Sequence, residues 1–175
     1  MEVEVKYQVP DRDQLLDRLA GLGVTLTGPV LQEDQAYAPA DWSYGHSKIG
    51  VSFARLRTEA DAHLFTVKKP VTDEQACIEY ECVVSDRDAM HHALLTMGWR
   101  PTVRIVKERR VGRWGPYSVC VDDVEGLGTF VELEAIAEET TEARTGLRAA
   151  ADRIGSLGEP VERTYDSLVL DAVAP

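Results

Sequence analysis

The chain has 175 residues, with 30 acidic and 19 basic side chains and a formal net charge of −11 at pH 7. This length accommodates one domain with a substantial core rather than two full domains. The acidic balance excludes a broad nucleic-acid or anionic-membrane surface, which needs a basic field, but it still allows a small polyanion in a local basic cluster.

The chain begins with a strand and a helix. Residues 2–9 (EVEVKYQV) alternate charged and apolar side chains, as a half-buried strand does. The segment 11–23 then carries leucines at helical spacing. It predicts an amphipathic helix that is capped by Asp11 and ended by Gly23.

The middle of the chain predicts strands followed by a second helix. The strands are expected at residues 51–57 (VSFARLR), 63–69 (HLFTVKK) and 78–84 (IEYECVV). A helix follows over 85–98, with Ser85 or Asp86 as its cap.

The last third predicts more strands and two helices. The strands are expected at residues 103–111, 117–124 and 130–137, and the helices at 140–158 and 163–173. Short links between strands favour antiparallel pairing. The sequence therefore predicts an α+β fold with a curved sheet or closed barrel, rather than a doubly wound sheet.

Nearly every predicted strand has an ionisable face and an apolar face. Taken singly, each charged face would be read as solvated. The signs are sorted, however, into Glu-x-Glu pairs and Arg/Lys pairs, and Thr, Ser, Gln and Asn are scarce among them. This pattern favours charged faces inside the curved sheet and helices outside it. The charged residues that would share the interior are Glu2, Glu4, Glu79, Glu81, Asp122, Glu132, Glu134, Lys6, Arg55, Arg57, Lys68, Lys107 and Arg109.

An interior with both signs suits a phosphate chain bound together with divalent metals. Carboxylates bind hard cations, whereas Arg and Lys bind phosphate. The metals would neutralise charge and position a water or hydroxyl for attack at phosphorus. The sorted charges thus predict phosphoryl-transfer catalysis.

The order of these motifs resembles the CYTH superfamily, the triphosphate tunnel metalloenzymes, which include thiamine triphosphatase, inorganic triphosphatase and class IV adenylyl cyclase. The resemblance covers residues 2 to about 135, and 164–170 (TYDSLVL) also look like the family's tail. It rests on Glu2-x-Glu4-x-Lys6, Arg55-Leu56-Arg57, Phe65-Thr-Val-Lys68-Lys-Pro, Glu79-x-Glu81, Lys107-x-Arg109 and Asp122-x-Val124-x-x-Leu127-Gly128-x-Phe130-x-Glu132-x-Glu134.

The resemblance implies one domain over residues 1–175, a closed eight-stranded antiparallel β-barrel with helices outside. Its charged tunnel would hold a triphosphate and one or two Mg²⁺ or Mn²⁺ ions. The implied metal ligands are Glu2, Glu4, Asp122, Glu132 and Glu134. The implied triphosphate contacts are Lys6, Arg55, Arg57, Lys68, Lys107 and Arg109. Glu2, Glu4 and Lys6 are the predicted catalytic residues, whereas Glu79 and Glu81 receive no fixed role.

The sequence departs from the family in two places. Cys77 and Ile78 stand where many members have a basic residue before the middle Glu-x-Glu. The segment 38–50 has no family pattern; Trp42, Tyr44 or His46 there could hold an organic group, although simple packing is the favoured interpretation.

The expected activity is metal-dependent hydrolysis of tripolyphosphate, a nucleoside triphosphate or thiamine triphosphate, with phosphate release. One alternative is a class IV adenylyl cyclase, and another is a non-catalytic polyphosphate-binding module. The sequence shows no adenine pocket, which favours hydrolysis. The expected binding partner is a small-molecule triphosphate, and binding to nucleic acid or to a membrane is not expected. The protein is expected to be a monomer or a homodimer.

A cytoplasmic location is also expected. No apolar run reaches the length of a membrane span, and residues 1–20 lack the apolar core of a signal peptide. Cys77, Cys82 and Cys120 cannot all pair, and no Cys-x-x-Cys spacing occurs, which suits a reducing compartment.

Overall fold

The computed structural model describes residues 1–173. The strands are β1 (Glu2–Gln8), β2 (Val30–Pro39), β3 (Phe53–Glu59), β4 (Ala62–Pro70), β5 (Ala76–Val84), β6 (Trp99–Trp114), β7 (Tyr117–Val124) and β8 (Gly128–Ile136). The helices are α1 (Arg12–Gly21), α2 (Arg87–Thr96), α3 (Thr140–Ile154) and α4 (Tyr165–Val173). The strands form a closed antiparallel barrel in the hydrogen-bonded order β1-β5-β4-β3-β2-β6-β7-β8, which confirms the predicted fold class. Within residues 1–173, no helix is both long and apolar enough to cross a membrane.

Helix starts follow the predicted caps. Asp11 accepts a hydrogen bond from the backbone N–H of Gln14 at 3.0 Å, at the start of α1. Asp86 accepts one from Ala89 at 2.9 Å at the start of α2, and is therefore the cap residue. Each satisfies a backbone donor that the first helical turn leaves without a partner.

Two compact units make up the described chain, and the first contains residues 1–30 and 107–162. Its core joins valines and leucines of β1, β7 and β8 to leucines of α1 and α3. On β1, Val3 and Val5 belong to this core. Because side chains alternate along a strand, Glu4 and Lys6 project from the opposite face. In the β1–β8 ladder Glu4 lies opposite Glu134, and Lys6 opposite Glu132.

The second unit contains residues 31–106 and the segment that begins at Arg163. Its core consists of Tyr37, Ala54, Leu56 and Leu94, with α2 supplying Leu94. The alternate positions of β3 are Arg55 and Arg57, which therefore lie on the face away from this core. Both units thus bury an apolar face under helices and carry the charges on the other face.

Two features differ from the sequence-based expectation. The strand β2 (Val30–Pro39) was not predicted, and it completes the set of eight. The apolar face predicted for β5 is partly exposed instead of buried: Ile78 is 41% and Tyr80 74% exposed. The helix that follows β5, α2, packs Leu94 on Leu56 and Tyr37 of β3 and β2 instead.

Candidate functional site

Three carboxylates come together in the first unit. Glu4 on β1 and Glu132 and Glu134 on β8 each offer an oxygen, and these oxygens lie within 4.8 Å of one another. Such an all-oxygen donor set is what Mg²⁺, Mn²⁺ and Ca²⁺ prefer. The side chains therefore fit a hard divalent cation. Of the predicted ligands, Glu2 lies outside this group of three but contributes negative charge to it, since it helps to raise the pKa of Glu134.

Lys6 forms ion pairs with two members of this acidic group, Glu4 and Glu132. Its Nζ lies 3.4 Å from Oε1 of Glu4 and 3.2 Å from Oε1 of Glu132. Burial alone would lower the pKa of Lys6, but the two carboxylates outweigh burial and raise it. The same pairing acts in reverse on Glu132: burial would raise its pKa, whereas Lys6 and Arg109 hold it well below its usual value. Lys6 and Glu132 are therefore a charged pair inside the protein.

Asp122 on β7 binds two of the basic residues of β6, Lys107 and Arg109. Arg109 donates from Nε to Oδ1 at 2.6 Å and from Nη2 to Oδ2 at 2.5 Å, and Lys107 donates to Oδ2 at 3.1 Å. Burial tends to raise the pKa of Asp122, but these two cations lower it. Arg109 also donates to Glu132, which links Asp122 to the acidic group. Both oxygens of Asp122 are thus engaged by bases, and its predicted role as a metal ligand remains a prediction.

Glu134 differs from Glu132 because its carboxyl group stays mainly protonated, and therefore uncharged, below about pH 7. Burial and the negative charge of Glu132 raise its pKa to about 7, and Arg109 opposes this only in part. A metal ion at the acidic group would have to displace a proton from Glu134 below that pH.

We expect metal affinity to depend on pH through this carboxyl. Mg²⁺ should raise the melting temperature of the protein, and the apparent affinity should be about tenfold weaker near pH 6 than near pH 8, because the proton on Glu134 competes with the metal. The apparent affinity at each pH is measured from the melting temperature over a series of Mg²⁺ concentrations. Glu134→Gln should remove this pH dependence, whereas Glu138→Gln, on the exposed segment just after β8, should keep it.

The stability of the metal-free protein provides a second readout. The folded-state pKa of Glu134 lies above its ordinary value of 4.5, so the folded state binds more protons between 4.5 and about 7. The stability that the folded state gains from binding this extra proton is therefore lost as pH rises through about 7. Without metal at high pH, Glu134→Gln should melt at a higher temperature than the unsubstituted protein. A lower melting temperature would contradict the raised pKa.

The predicted phosphate contacts of the second unit lie on the charged faces of β3 and β4. Arg57 pairs with Asp34 through two hydrogen bonds, of 2.7 and 2.8 Å. Arg55 donates to Thr66 at 3.0 Å and to Glu81 at 3.2 Å. The remaining base of this set, Lys68, lies 2.6 Å from Oε2 of Glu79. Each base is therefore paired with a carboxylate, and this gives Glu79 and Glu81 a role that the sequence did not assign.

Sequence reasoning missed Asp34 because it missed β2. The segment carries polar side chains on both faces, with Gln32 and Asp34 buried and Glu33 and Gln35 on the alternate positions. It therefore lacks the clean alternation that marks a half-buried strand. The available signal was an acidic residue in the one long unassigned stretch before β3.

Lys48 was also missed, in the segment without a family pattern. Its buried Nζ contacts oxygens of Thr164, Asp166 and Ser167 at 2.6 to 3.0 Å, which ties residues 38–50 to the start of α4. In the same segment Trp42 is buried and packs edge-on against Phe53 and Tyr44, with ring centroids 4.8 and 4.9 Å apart. This supports the packing interpretation for these aromatics.

The barrel and its ordered charge motifs define a CYTH domain. The profile of that domain matches residues 1–165, and the chain belongs to the CYTH family. The chain is similar to the adenylate cyclase CyaB of Aeromonas hydrophila, with 28% identity over 172 residues, or 95% of this chain and 87% of that protein. A Methanocaldococcus jannaschii protein with a provisional adenylate cyclase name is 27% identical over 144 residues, 81% of each chain.

Solved structures show the same fold. A Pyrococcus horikoshii protein aligns with a TM-score of 0.83 at 23% identity, covering 98% of this chain and 99% of that one. A Hippeastrum protein aligns with a TM-score of 0.68 at 16% identity, covering 98% and 96%. The latter is described as a provisional adenylyl cyclase with a dominant triphosphatase activity. The two sequence relatives are thus named as adenylate cyclases, whereas the Hippeastrum neighbour of the same fold is described by a triphosphatase activity.

Proposed function

We propose that this protein hydrolyses a triphosphate in a reaction that depends on Mg²⁺ or Mn²⁺ and releases phosphate. The observation that carries the proposal is the group of Glu4, Glu132 and Glu134, whose oxygens lie within 4.8 Å of one another beside the buried Lys6 and the partly buried Arg109. Carboxylates for a metal and bases for phosphate are the two requirements of metal-assisted phosphoryl transfer. The substrates in question are tripolyphosphate, a nucleoside triphosphate and thiamine triphosphate.

In this proposal Glu4, Glu132 and Glu134 hold the metal ion. The bound ion supplies charge neutralisation and lowers the pKa of a water molecule. Glu2 and Asp122 would complete the ligand set of a second ion. The bases donate hydrogen bonds to phosphate oxygens; these are Lys6, Arg55, Arg57, Lys68, Lys107 and Arg109.

A second candidate, adenylyl cyclase activity, is favoured by the names of the two sequence relatives. There the ribose 3′-hydroxyl is the nucleophile and pyrophosphate leaves. The same carboxylates and bases would serve both reactions, because both are attacks at phosphorus in which negative charge on the phosphate oxygens needs stabilisation. The two differ in what attacks: water in the hydrolase, a hydroxyl of the substrate in the cyclase.

One assay separates these activities. The protein is incubated with ATP, with thiamine triphosphate or with tripolyphosphate, in Mg²⁺ or Mn²⁺, and phosphate, pyrophosphate and cyclic AMP are measured separately. We expect phosphate from at least one substrate and no cyclic AMP from ATP. Cyclic AMP formed with pyrophosphate from ATP would overturn the hydrolase proposal. Binding of tripolyphosphate without turnover in either metal would instead identify a polyphosphate-binding module.

A further inference from the structure

Asp34 and Arg57 form an ion pair with two hydrogen bonds in the second unit. They lie directly opposite each other in the β2–β3 ladder. The carboxylate accepts from Nε at 2.7 Å and from Nη2 at 2.8 Å, so that it binds one edge of the planar guanidinium. The two side chains are 4% and 7% exposed. A bidentate pair of this kind fixes the plane of the guanidinium as well as its position.

Arg55, the other arginine of the same strand, is held differently. The residue opposite it on β2 is Ala36, which offers no polar side chain. Arg55 therefore donates to Thr66 and Glu81 of β4 and β5, through Nη2 alone in both cases. The Arg55–Glu81 pair is also more exposed, at 22% and 40%. The two arginines of Arg55-Leu56-Arg57 are thus not equivalent: one is fixed along an edge, and the other is held at one end.

We propose that Asp34 is a positioning residue, which orients Arg57 so that its remaining N–H groups meet the phosphate oxygens of the substrate. This inference rests on the triphosphate contact proposed for Arg57 above. A guanidinium that is fixed before substrate arrives loses little further side-chain entropy when phosphate binds. The carboxylate also offsets the charge of Arg57, which makes this arginine an oriented donor for phosphate in one register rather than a general attractor of anions.

A purely structural role predicts a different behaviour. A buried ion pair is destabilising to break, because removing one partner leaves the other charge buried and alone, whereas removing both often costs little. If Asp34 served stability only, then Asp34→Ala measured well below its melting temperature would bind substrate as tightly as the unsubstituted protein. If it serves Arg57, binding stays impaired whenever Arg57 is absent or misplaced.

The experiment compares Asp34→Ala, Arg57→Ala and the double variant in binding of Mg²⁺-imidotriphosphate, a non-hydrolysable triphosphate, and in KM and kcat for a turned-over substrate. Each single variant should melt at a lower temperature and should weaken binding by about 10- to 100-fold, the usual scale for loss of an orienting partner. The double variant should regain much of the melting temperature while its affinity stays at the level of Arg57→Ala. Asp34→Asn, which keeps one acceptor oxygen, replaces Asp34→Ala if the latter does not fold.

Leu56→Ala is the matched control, since Leu56 is fully buried on the opposite face of the same strand and does not pair with Asp34. Leu56→Ala should lower the melting temperature but change affinity less than threefold, which corresponds to about 0.6 kcal/mol in binding free energy. Affinity of folded Asp34→Ala that equals that of the unsubstituted protein, or affinity that falls equally in Leu56→Ala, overturns the positioning role. Unsubstituted protein that neither binds imidotriphosphate nor turns over a triphosphate overturns the proposed function instead.

Discussion

Glu4→Gln is expected to reduce metal-dependent turnover by at least about 100-fold, the scale reported for losing a group that stabilises transition-state charge. Glu4 supplies one of the three carboxylates, and an amide oxygen is a much weaker ligand for a hard cation than a carboxylate oxygen. The fold should remain, because Lys6 keeps its contact with Glu132 at 3.2 Å when the charge of Glu4 is lost. The measurements are the turnover rate and Mg²⁺ binding by calorimetry.

Glu33→Gln is the matched control for this variant. Glu33 is also a strand glutamate with an ion pair, at 2.7 Å to Arg104, but it lies on β2 and outside the acidic group. It should keep full turnover, since an exposed pair contributes at most about 1 kcal/mol to stability and nothing to the metal. Turnover that survives in Glu4→Gln would show that the metal does not depend on this carboxylate. Lost turnover with unchanged Mg²⁺ affinity would assign Glu4 to another step.

Alternation along single strands was enough to assign the charged side chains of β1 and β8 to the correct strand faces. The pattern EVEVK assigned Val3 and Val5 to the core and Glu4 and Lys6 to the other face, and the structure buries the valines under α1 and α3. The same rule placed Glu132 and Glu134 together on β8. These assignments were possible because side-chain direction has a period of two and follows directly from sequence position.

The partners across strands could not be predicted in the same way. That Asp34 faces Arg57 depends on the register of β2 against β3, and register is set by the connection between strands and by which face is buried. The connection here, residues 40–52, has no short hairpin turn that would fix the pairing. β2 itself carries polar side chains on both faces. Neither signal was therefore available.

The role of Asp122 shows a related limit. The motif Asp122-x-Val124 identified an acidic residue of the site, and a carboxylate alone is equally suited to a metal and to a base. Only the β6–β7 register, which sets Asp122 opposite Arg109, shows that bases engage both of its oxygens. The sequence thus identified the residue, whereas its partners follow from tertiary structure.

Asp122→Ala should have the largest effect on stability of any substitution at this site. Asp122 is 0% exposed and binds both Lys107 and Arg109, so its removal leaves one buried and one partly buried cation with fewer partners. Breaking a buried pair by removing one partner costs about 3–5 kcal/mol in the free energy of unfolding. For a chain of this size that lowers the melting temperature by about 6–20 °C. Asp123→Ala is the matched control. Asp123 follows Asp122 in the chain, pairs with Arg12 at 3.2 Å and accepts a hydrogen bond from Thr129 at 2.6 Å, so about 1–2 kcal/mol is expected.

The dependence of this effect on pH tests its electrostatic origin. Lys107 and Arg109 overcome burial and hold the pKa of Asp122 below its ordinary 3.8, so its contribution to stability is present above that pH and is lost as pH falls through the lowered value. The difference in melting temperature between the unsubstituted protein and Asp122→Asn should therefore shrink in acid. Because both oxygens already bind bases, affinity for the first Mg²⁺ should fall far less than in Glu4→Gln. An equal fall in both variants would instead make Asp122 a ligand of that ion, and its bonds to Lys107 and Arg109 would then have to break when the metal binds.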